Sequence, residues 1–586
     1  MYLKPEFAAF LQNNDAPSAS AILELTESFK APLNELQEVE AEMQRLGELM
    51  ETMKTRRQSI QEIINDYNII LSPARRLPPD VLREIFFHCL PTHRNPFMKS
   101  SESPLLLTQI CSSWRAIALS SPRIWSKVYI PFPGDPSCSP SHGVINDETI
   151  LSIRRQSISR VLRLRCDAVR GWLSRSGTCP LSLSISYPSA PVEESDSGIQ
   201  NWNYAELLQE IFDILRSFSD RWGDVDLSMP EDIYNKLQGS IVNPTTFSSL
   251  KSLKITLHRS PWNNALEYVP IRLLAAPGLR RININRFPTL RATGNLVQPI
   301  WNQITHITFT YLTTDIYLLV LLRQCPNLVF GNFILDSGPE WPPQTIVDQE
   351  AFLLPRLESL AINTSAVHWN MDIIFNALNA PALTRVSYRW LTHLFDHENA
   401  STILLPIPVI PLLENSTLIS YLSLDGQLSS QDTRECLRPG EQVTHLVFER
   451  PRGQLPPSHM TDADASYPDR FDLKVLSIGS EAEILLPRLE FLEAYNLASF
   501  TDEDLLDLIT SRINASQRGE TAALKSVKMS FDRRRQKDIT EEVSRLAKEA
   551  GIEVKLDLDY PPVSQLFDPL SPSFGFEWHN DHDDSW

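Results

Sequence analysis

The sequence has few of the features that mark a secreted, membrane-spanning or catalytic chain. Its 586 residues hold only seven cysteines, at 89, 111, 138, 166, 179, 325 and 436. They form no C-x-x-C, pair with no histidine at zinc-ligand spacing and are odd in number. A disulfide framework is therefore not expected; reduced thiols in a cytoplasmic or nuclear protein are. The longest apolar run, Ile316–Leu322, is far short of a bilayer span, and MYLKPEFAAFLQNND lacks the apolar core of a signal peptide. Basic residues are outnumbered, 54 against 72 acidic, for a net charge of −18. That balance disfavours nucleic acid and anionic membranes, both of which need a basic face.

Catalytic motifs are also missing. There is no G-x-S-x-G, no H-E-x-x-H and no G-x-x-x-x-G-K-[ST]. Asp80 with Glu84, and Asp502 with Glu503 and Asp504, sit at predicted helix starts, where the helix dipole favours carboxylates. They read as helix-start acids rather than acid/base pairs. Arg154, Arg155, Arg160, Arg163 and Arg165 read as a solvated or edge face. Arg533–Arg535 is a weak import signal. The residues around His579–Asp584 are of metal-binding type but lie at the chain's end. We assign no catalytic residue, metal ligand or cofactor, and expect a protein that is not an enzyme.

Apolar periodicity is plentiful. From Leu36 a heptad places Leu36, Met43, Met50, Arg57, Ile64 and Leu71 at a positions, and Val39, Leu46, Met53, Ile60 and Tyr67 at d positions. Ten of these eleven are apolar, which predicts a helix of roughly 54 Å and a coiled coil. Two arrangements stay open: a parallel homodimer through residues 36–71, or one long helix laid along the body of its own chain. Ser72-Pro73 ends the helix. Proline is abundant, 43 in all, and PFPGDPSCSPSH from Pro131 to His142 reads as a linker.

Between these lies the stretch around which the chain is organised. LPPDVLREIFFHCL predicts a helix primed by Pro78 and Pro79, with Val81, Leu82, Ile85, Phe86, Cys89 and Leu90 on an apolar stripe and Pro91 as its stop. LLLTQICSSWRAIALSSPRIW predicts a second helix, after Pro104, with Leu107, Ile110, Cys111, Trp114, Ile117 and Ala118 on one face. Two short helices cannot bury that much apolar surface alone. Leu77-Pro78, Ile85-Phe86, Cys111-Ser112-Ser113-Trp114 and Pro122-Arg123-Ile124-Trp125 resemble the F-box family, and LSPARRLPPDVLREIF looks most like F-box-like proteins of the fungal type. Two departures are a long loop from Pro91 to Pro104 and Ser112 where a basic residue is common. The resemblance implies that Leu77, Pro78, Val81, Leu82, Ile85, Phe86, Leu107, Ile110, Cys111, Trp114 and Trp125 bind a Skp1-like adaptor, and through it a cullin. The other reading is a helical hairpin packed on its own chain.

Past the linker an apolar-x-x-apolar-x-apolar window recurs, beginning at 250, 279, 304, 357, 383, 419, 443, 473, 489 and 524, with a weaker copy at 328. The alternating tail of each window suits a short strand. Pro277, Pro326, Pro355, Pro381 and Pro487 precede five of them by two residues. Helical runs are predicted at 204–218, 314–323, 371–378 and 502–513, and weaker strands at 161–164, 181–185 and 225–227. The alternation resembles leucine-rich repeats, although the asparagine expected after each window is replaced by His258, Ser365 and Asp532 where compared. One interval, from 473 to 489, is too short for a repeat. Exposed strand positions are expected to include Lys254, Thr256, Asn283, Asn285, Thr308, Ser387, Arg389, Val447 and Glu449.

The expected fold is thus α/β: a flexible N-terminus (1–30), a long helix (31–72), an F-box-like domain (73–130), a linker (131–148), an irregular leucine-rich-repeat-like α/β solenoid (149–560) and an acidic, disordered tail (561–586). The resemblance implies a substrate receptor of a Skp1-cullin-F-box ubiquitin ligase, with the repeats holding a protein target for ubiquitin-dependent degradation. The alternative is a coiled-coil and repeat scaffold that joins no ligase.

Overall fold

The computed structural model describes residues 5–12, 16–133, 138–139, 143–144, 148–187, 204–239, 246–258, 271–285, 301–312, 315–335, 350–364, 371–390, 409–425, 430–448, 473–479, 483–497, 500–531 and 533–560. Most of the 131–142 linker, residues 365, 449 and 532, and the whole tail after 560 lie outside these. The chain divides into two compact units, Met1–Ile85 and Phe86–Trp586.

The first unit is built on one helix. After a short α1 (Pro5–Ala8), α2 spans Ala19–Ile70, 52 residues. Ser18 starts it: its Oγ accepts the Ala21 N–H at 3.3 Å, satisfying one of the free donors of the first turn. The helix begins well before residue 31, inside the stretch expected to be flexible. The reason is periodic, since the a and d frame continues backward through Ile22, Leu25 and Phe29. Pro32 sits within it, at the loss of one backbone hydrogen bond. No residue of α2 is buried, and every heptad side chain from Leu36 to Tyr67 is exposed.

Helix α3 (Pro79–His88) follows, as expected from its prolines. The predicted second helix is two: α4 (Leu107–Ile110) and α5 (Ser112–Leu119). Cys111 separates them in an extended conformation, and its Sγ accepts the Trp114 N–H at 3.4 Å. In C-x-x-W, cysteine is therefore the cap of α5 and tryptophan its third residue, a relation that an apolar stripe does not reveal.

The second unit is dominated by a 14-stranded sheet in which every pairing is parallel. It opens with β1 (Lys127–Pro131). A two-residue hairpin, β2 (Cys138–Ser139) and β3 (Gly143–Val144), and then α5's successor α6 (Glu148–Arg175) precede β4 (Leu181–Ser186). Next come α7 (Tyr204–Arg216), β5 (Trp222–Pro230), α8 (Glu231–Gly239), β6 (Ser252–His258), β7 (Arg281–Ile284) and β8 (His306–Leu312). After α9 (Asp315–Gln324) and β9 (Phe330–Leu335), the pair β10 (Phe352–Leu353) and β12 (Leu378–Asn379) flanks β11 (Ser359–Thr364) and α10 (Met371–Ala377). The remainder runs β13 (Arg385–Trp390), α11 (Ile410–Asn415), β14 (Tyr421–Asp425), α12 (Ser430–Leu437) and β15 (His445–Phe448). It closes with β16 (Phe491–Leu497), α13 (Asp502–Gln517), β17 (Ser526–Phe531), α14 (Thr540–Glu549) and β18 (Lys555–Asp559). Apart from the two small pairs, each strand lies beside its predecessor in the chain.

Register explains the repeated window. Its second apolar position aligns across the sheet, Leu253 with Ile282, Ile307, Gly331, Leu360, Val386, Leu422, Leu446, Leu492 and Val527. The third aligns likewise two residues on. The first position ends a turn: Leu279, Leu328, Leu357, Leu383 and Leu489 each donate an N–H to the carbonyl three residues earlier, at 3.0–3.3 Å. The five prolines occupy the second place of those turns, where a fixed φ is favourable. All three positions are buried in nearly every copy, with Tyr388 only half-buried. The copy at 328 is weak because Gly331 holds the second position. A Cβ there would meet the Phe333 ring at 2.7 Å.

Several expectations need correction. The copy at 473 is no strand but a 3-10 turn (Leu473–Leu476), which removes the short 473–489 interval. Val161–Leu164 lies inside α6, whose buried Leu162, Cys166, Val169 and Leu173 recur at helical spacing. The sheet starts at Lys127, within the segment assigned to the F-box-like domain and before the linker. The helices expected at 204–218, 314–323, 371–378 and 502–513 are present as α7, α9, α10 and α13. Among the described residues no helix is long and apolar enough to cross a membrane, and no group of acidic, histidine or cysteine side chains is placed to hold a metal.

Candidate partner-binding surfaces

The residues that carry the F-box resemblance fall into two sets. Leu82, Phe86, Leu107 and Trp125 are buried. In the second unit, the Phe86 ring lies 4.9 Å from that of Trp114, and Trp125 donates its indole N–H to the Ala118 carbonyl at 2.8 Å while meeting Trp172 of α6 edge-on at 4.9 Å. These side chains hold their own chain together. The other set is apolar and exposed. On α3, Val81 and Ile85, one turn apart, are 41% and 38% exposed. On α4, Ile110 is 54% exposed, and Leu106, Cys111 and Leu119 are also exposed. Leu77 and Trp114 are half-buried and Pro78 is exposed. Sequence reasoning did not single out Leu106 and Leu119, which lie off the stripe assigned to the second helix.

The long Pro91–Pro104 loop has a structural task. Arg94 makes a two-pronged pair with Glu102 at 2.8 and 3.0 Å, and Glu102 also accepts the Phe97 N–H at 3.0 Å. These bonds, that from Arg94 first, hold the Glu102 carboxyl below its ordinary range. So fixed, Phe97 forms a bridge to Tyr129 of β1, the Pro96 carbonyl accepts the Tyr129 N–H at 2.9 Å, and the Asn95 amide reaches Ser182 and Ser184 of β4. The loop covers one edge of the sheet, an edge that would otherwise offer unpaired backbone to another chain.

A second surface lies on the strands' outward rows. One row runs in register through Arg281, His306, Phe330, Ser359, Arg385, Tyr421, His445 and Phe491. Its members stack on one another: His306 on Phe330, the Arg385 guanidinium 4.1 Å over Tyr421, and His445 on Phe491 at 4.0 Å. Burial is the main cause that lowers the His306 and His445 pKa values. The neighbouring row carries Lys254, Asn283, Thr308, Asn332, Ser387, Ser423 and Val447. Lys254 is exposed and 3.7 Å from Asp226; Thr256, Asn283, Asn285, Ser387 and Arg389 are half-buried; Thr308, Ser423 and Val447 are buried. Among the described residues, the buried oxygens of Thr308, Asn332 and Ser423 have no hydrogen-bond partner.

The acidic and basic groups of the C-terminal part are structural. Thr501 and Asp504 form the reciprocal cap of α13, at 3.0 and 3.2 Å. Asp502 is fully buried and accepts from Arg533, the Gln536 and Lys537 N–H groups, and the Tyr560 hydroxyl, all at 2.7–2.9 Å. Burial pushes its pKa up, but these donors prevail and hold it below the usual value. Arg533 is thereby spent inside the fold. The former strand candidate's arginines lie on α6, where Arg165 reaches the Pro131 carbonyl. No family model matches the chain, and no curated protein matches it.

Proposed function

We propose that this chain is the substrate-receptor subunit of a Skp1-cullin-F-box type ubiquitin ligase. The observation that carries the reading is the division of the F-box-like residues. Leu82, Phe86, Leu107 and Trp125 are buried within their own chain, while Val81, Ile85, Ile110 and Cys111 leave apolar surface in water. Exposed apolar side chains at the positions where the family binds its adaptor are what a Skp1-like partner would cover. We further propose that the ordered succession of turn, strand and connector is an irregular, leucine-rich-repeat-like solenoid, and that its outward strand rows receive the protein target. The stacked His, Arg and aromatic side chains supply contact area there, and exposed or half-buried polar side chains such as Lys254, Asn283 and Ser387 supply hydrogen-bonding groups. The chain contributes placement; the ligase supplies the chemistry.

A second reading, a scaffold that joins no ligase, is favoured by the burial of Phe86, Leu107 and Trp125 within their own chain. Co-expression with Skp1 separates the two. The variant to use is Val81→Asp, Ile85→Asp, Ile110→Asp, because these exposed sites can be changed with the core intact. The adaptor reading expects the wild type to co-purify with Skp1 and the folded variant to be lost from the complex. A folded wild type that leaves Skp1 behind sinks it in favour of the scaffold.

A further inference from the structure

We infer that the exposed stripe of α2 is covered by the α2 helix of a second copy of this chain, running antiparallel to it and in one register. The inference is independent of the adaptor reading. No residue of the 52-residue helix is buried, yet from Leu36 to Leu71 every a and d side chain but Arg57 is apolar. A narrow a/d seam at heptad spacing is the geometry that packs knobs-into-holes against another helix. Charge selects which one and in which direction.

The flanking e and g positions decide orientation, because they face each other across the seam. In a parallel pair each g faces the following e of its neighbour. That arrangement sets Glu35 against Glu40 twice over, leaves Lys54 beside Leu49, and stacks Arg57 on Arg57 in the core. No pair in it is attractive. In an antiparallel pair e faces e, g faces g, and a meets d. Centred on Glu48, the two helices place Leu36 on Ile60, Met43 on Met53 and Leu46 on Met50. Beyond Pro32 the frame continues, with Phe29 on Tyr67 and Leu25 on Leu71. Glu40 then faces Lys54 and Glu42 faces Arg56, each twice by symmetry. Arg57, the one charged seam residue, meets Val39 amid the acidic stretch Glu35–Glu42. Gly47 comes opposite its own copy at the crossing, where a missing side chain allows close approach.

The register is specified too. Slipping one heptad toward the N-terminus leaves only Glu35 facing Arg56, and slipping the other way leaves no charge pair. Within one chain Glu42 pairs with Arg45 at 2.8 Å and Lys54 with Glu51 at 2.6 Å, but all four side chains are well exposed. Exposed pairs of this kind are weak and exchange readily. At 1.5 Å per residue the two Leu71 ends lie about 70 Å apart. The two F-box-like segments that follow them thus emerge from opposite ends of the rod.

The test is a charge-swap cycle in the full chain, with the dissociation constant read by sedimentation over a concentration series, or by exchange of labelled subunits where dilution does not separate them. Circular dichroism checks that helix content is kept. Glu40→Lys and Lys54→Glu should each weaken the dimer roughly tenfold, and the two together should restore it. Leu46→Glu with Met50→Glu should abolish it. A parallel pair gives the opposite sign, since Glu40→Lys would then tighten it by relieving Glu35. That result overturns the inference, as do single variants that leave the affinity unchanged, a chain monomeric at every concentration, or a dimer that survives the two seam substitutions.

Discussion

Arg512 shows how far a single side chain can be committed to the fold. It is buried on α13, and its guanidinium donates to three backbone carbonyls: Leu476 at 3.1 Å, Leu486 at 3.1 Å and Leu485 at 2.7 Å. Burial lowers its pKa to about 10, so it keeps its charge at neutral pH. Leu486 is the described non-glycine residue with a positive φ, 50°, and Arg512 grips its carbonyl. The turn it closes is the one that leads into β16. Replacing Arg512 with Met fills the space but orphans three carbonyls, a cost of roughly 2–4 kcal/mol. Urea unfolding should show a clearly lower midpoint for Arg512→Met. An unchanged midpoint would mean that water serves those carbonyls equally well. None of this was legible in the sequence, because a lone arginine on an amphipathic helix normally reads as a solvated charge.

Among elements, the strands were the most legible and the helices the most conditional. The window's three apolar positions are buried copy after copy because a strand's period of two and the turn before it leave those side chains one direction to point. The exceptions have local causes. LKVL at 473–476 has the spacing of a window, yet an i, i+3 pair suits a helical turn equally well. RVLRLR alternates like a strand over a few residues, but the longer stripe from Leu162 to Leu173 prevails. Cys111 breaks the second F-box-like helix through a sulfur cap, a signal weaker than Ser or Asp. The strands also carry a pH dependence. His258, His306 and His445 have pKa values lowered from 6.5, chiefly by burial. As pH falls through 6.5 the unfolded chain takes up protons before the folded one, so stability is complete above that pH and drains away below it. The urea midpoint should therefore drop between pH 7.5 and 5. The double variant His306→Phe, His445→Phe, which keeps the stacking on Phe330 and Phe491, should flatten that slope. A wild-type midpoint that is level across the range would contradict the assignment.

On the scale of the whole molecule, the chain joins elements that solve the burial problem in different ways. The sheet does so internally, neighbour by neighbour, with the Arg94–Glu102 loop closing one edge and Asp502 tying Arg533 and Tyr560 to the other end. The long helix and the F-box-like segment leave apolar surface uncovered. The long N-terminal helix was legible from the heptad and the strands of the large parallel sheet from the window, each a matter of spacing. Which motif residues face inward was not, because Phe86 and Ile85, or Leu107 and Ile110, are chemically alike and only packing divides them. That division carries the adaptor reading, and hydrogen exchange of the full chain with and without Skp1 tests it most directly. The account predicts that Skp1 slows exchange in Pro79–His88 and Leu107–Leu119 and leaves β1 and α6 as they were, since Trp125 and Trp172 are already packed. Identical exchange of all these segments in both samples would contradict it.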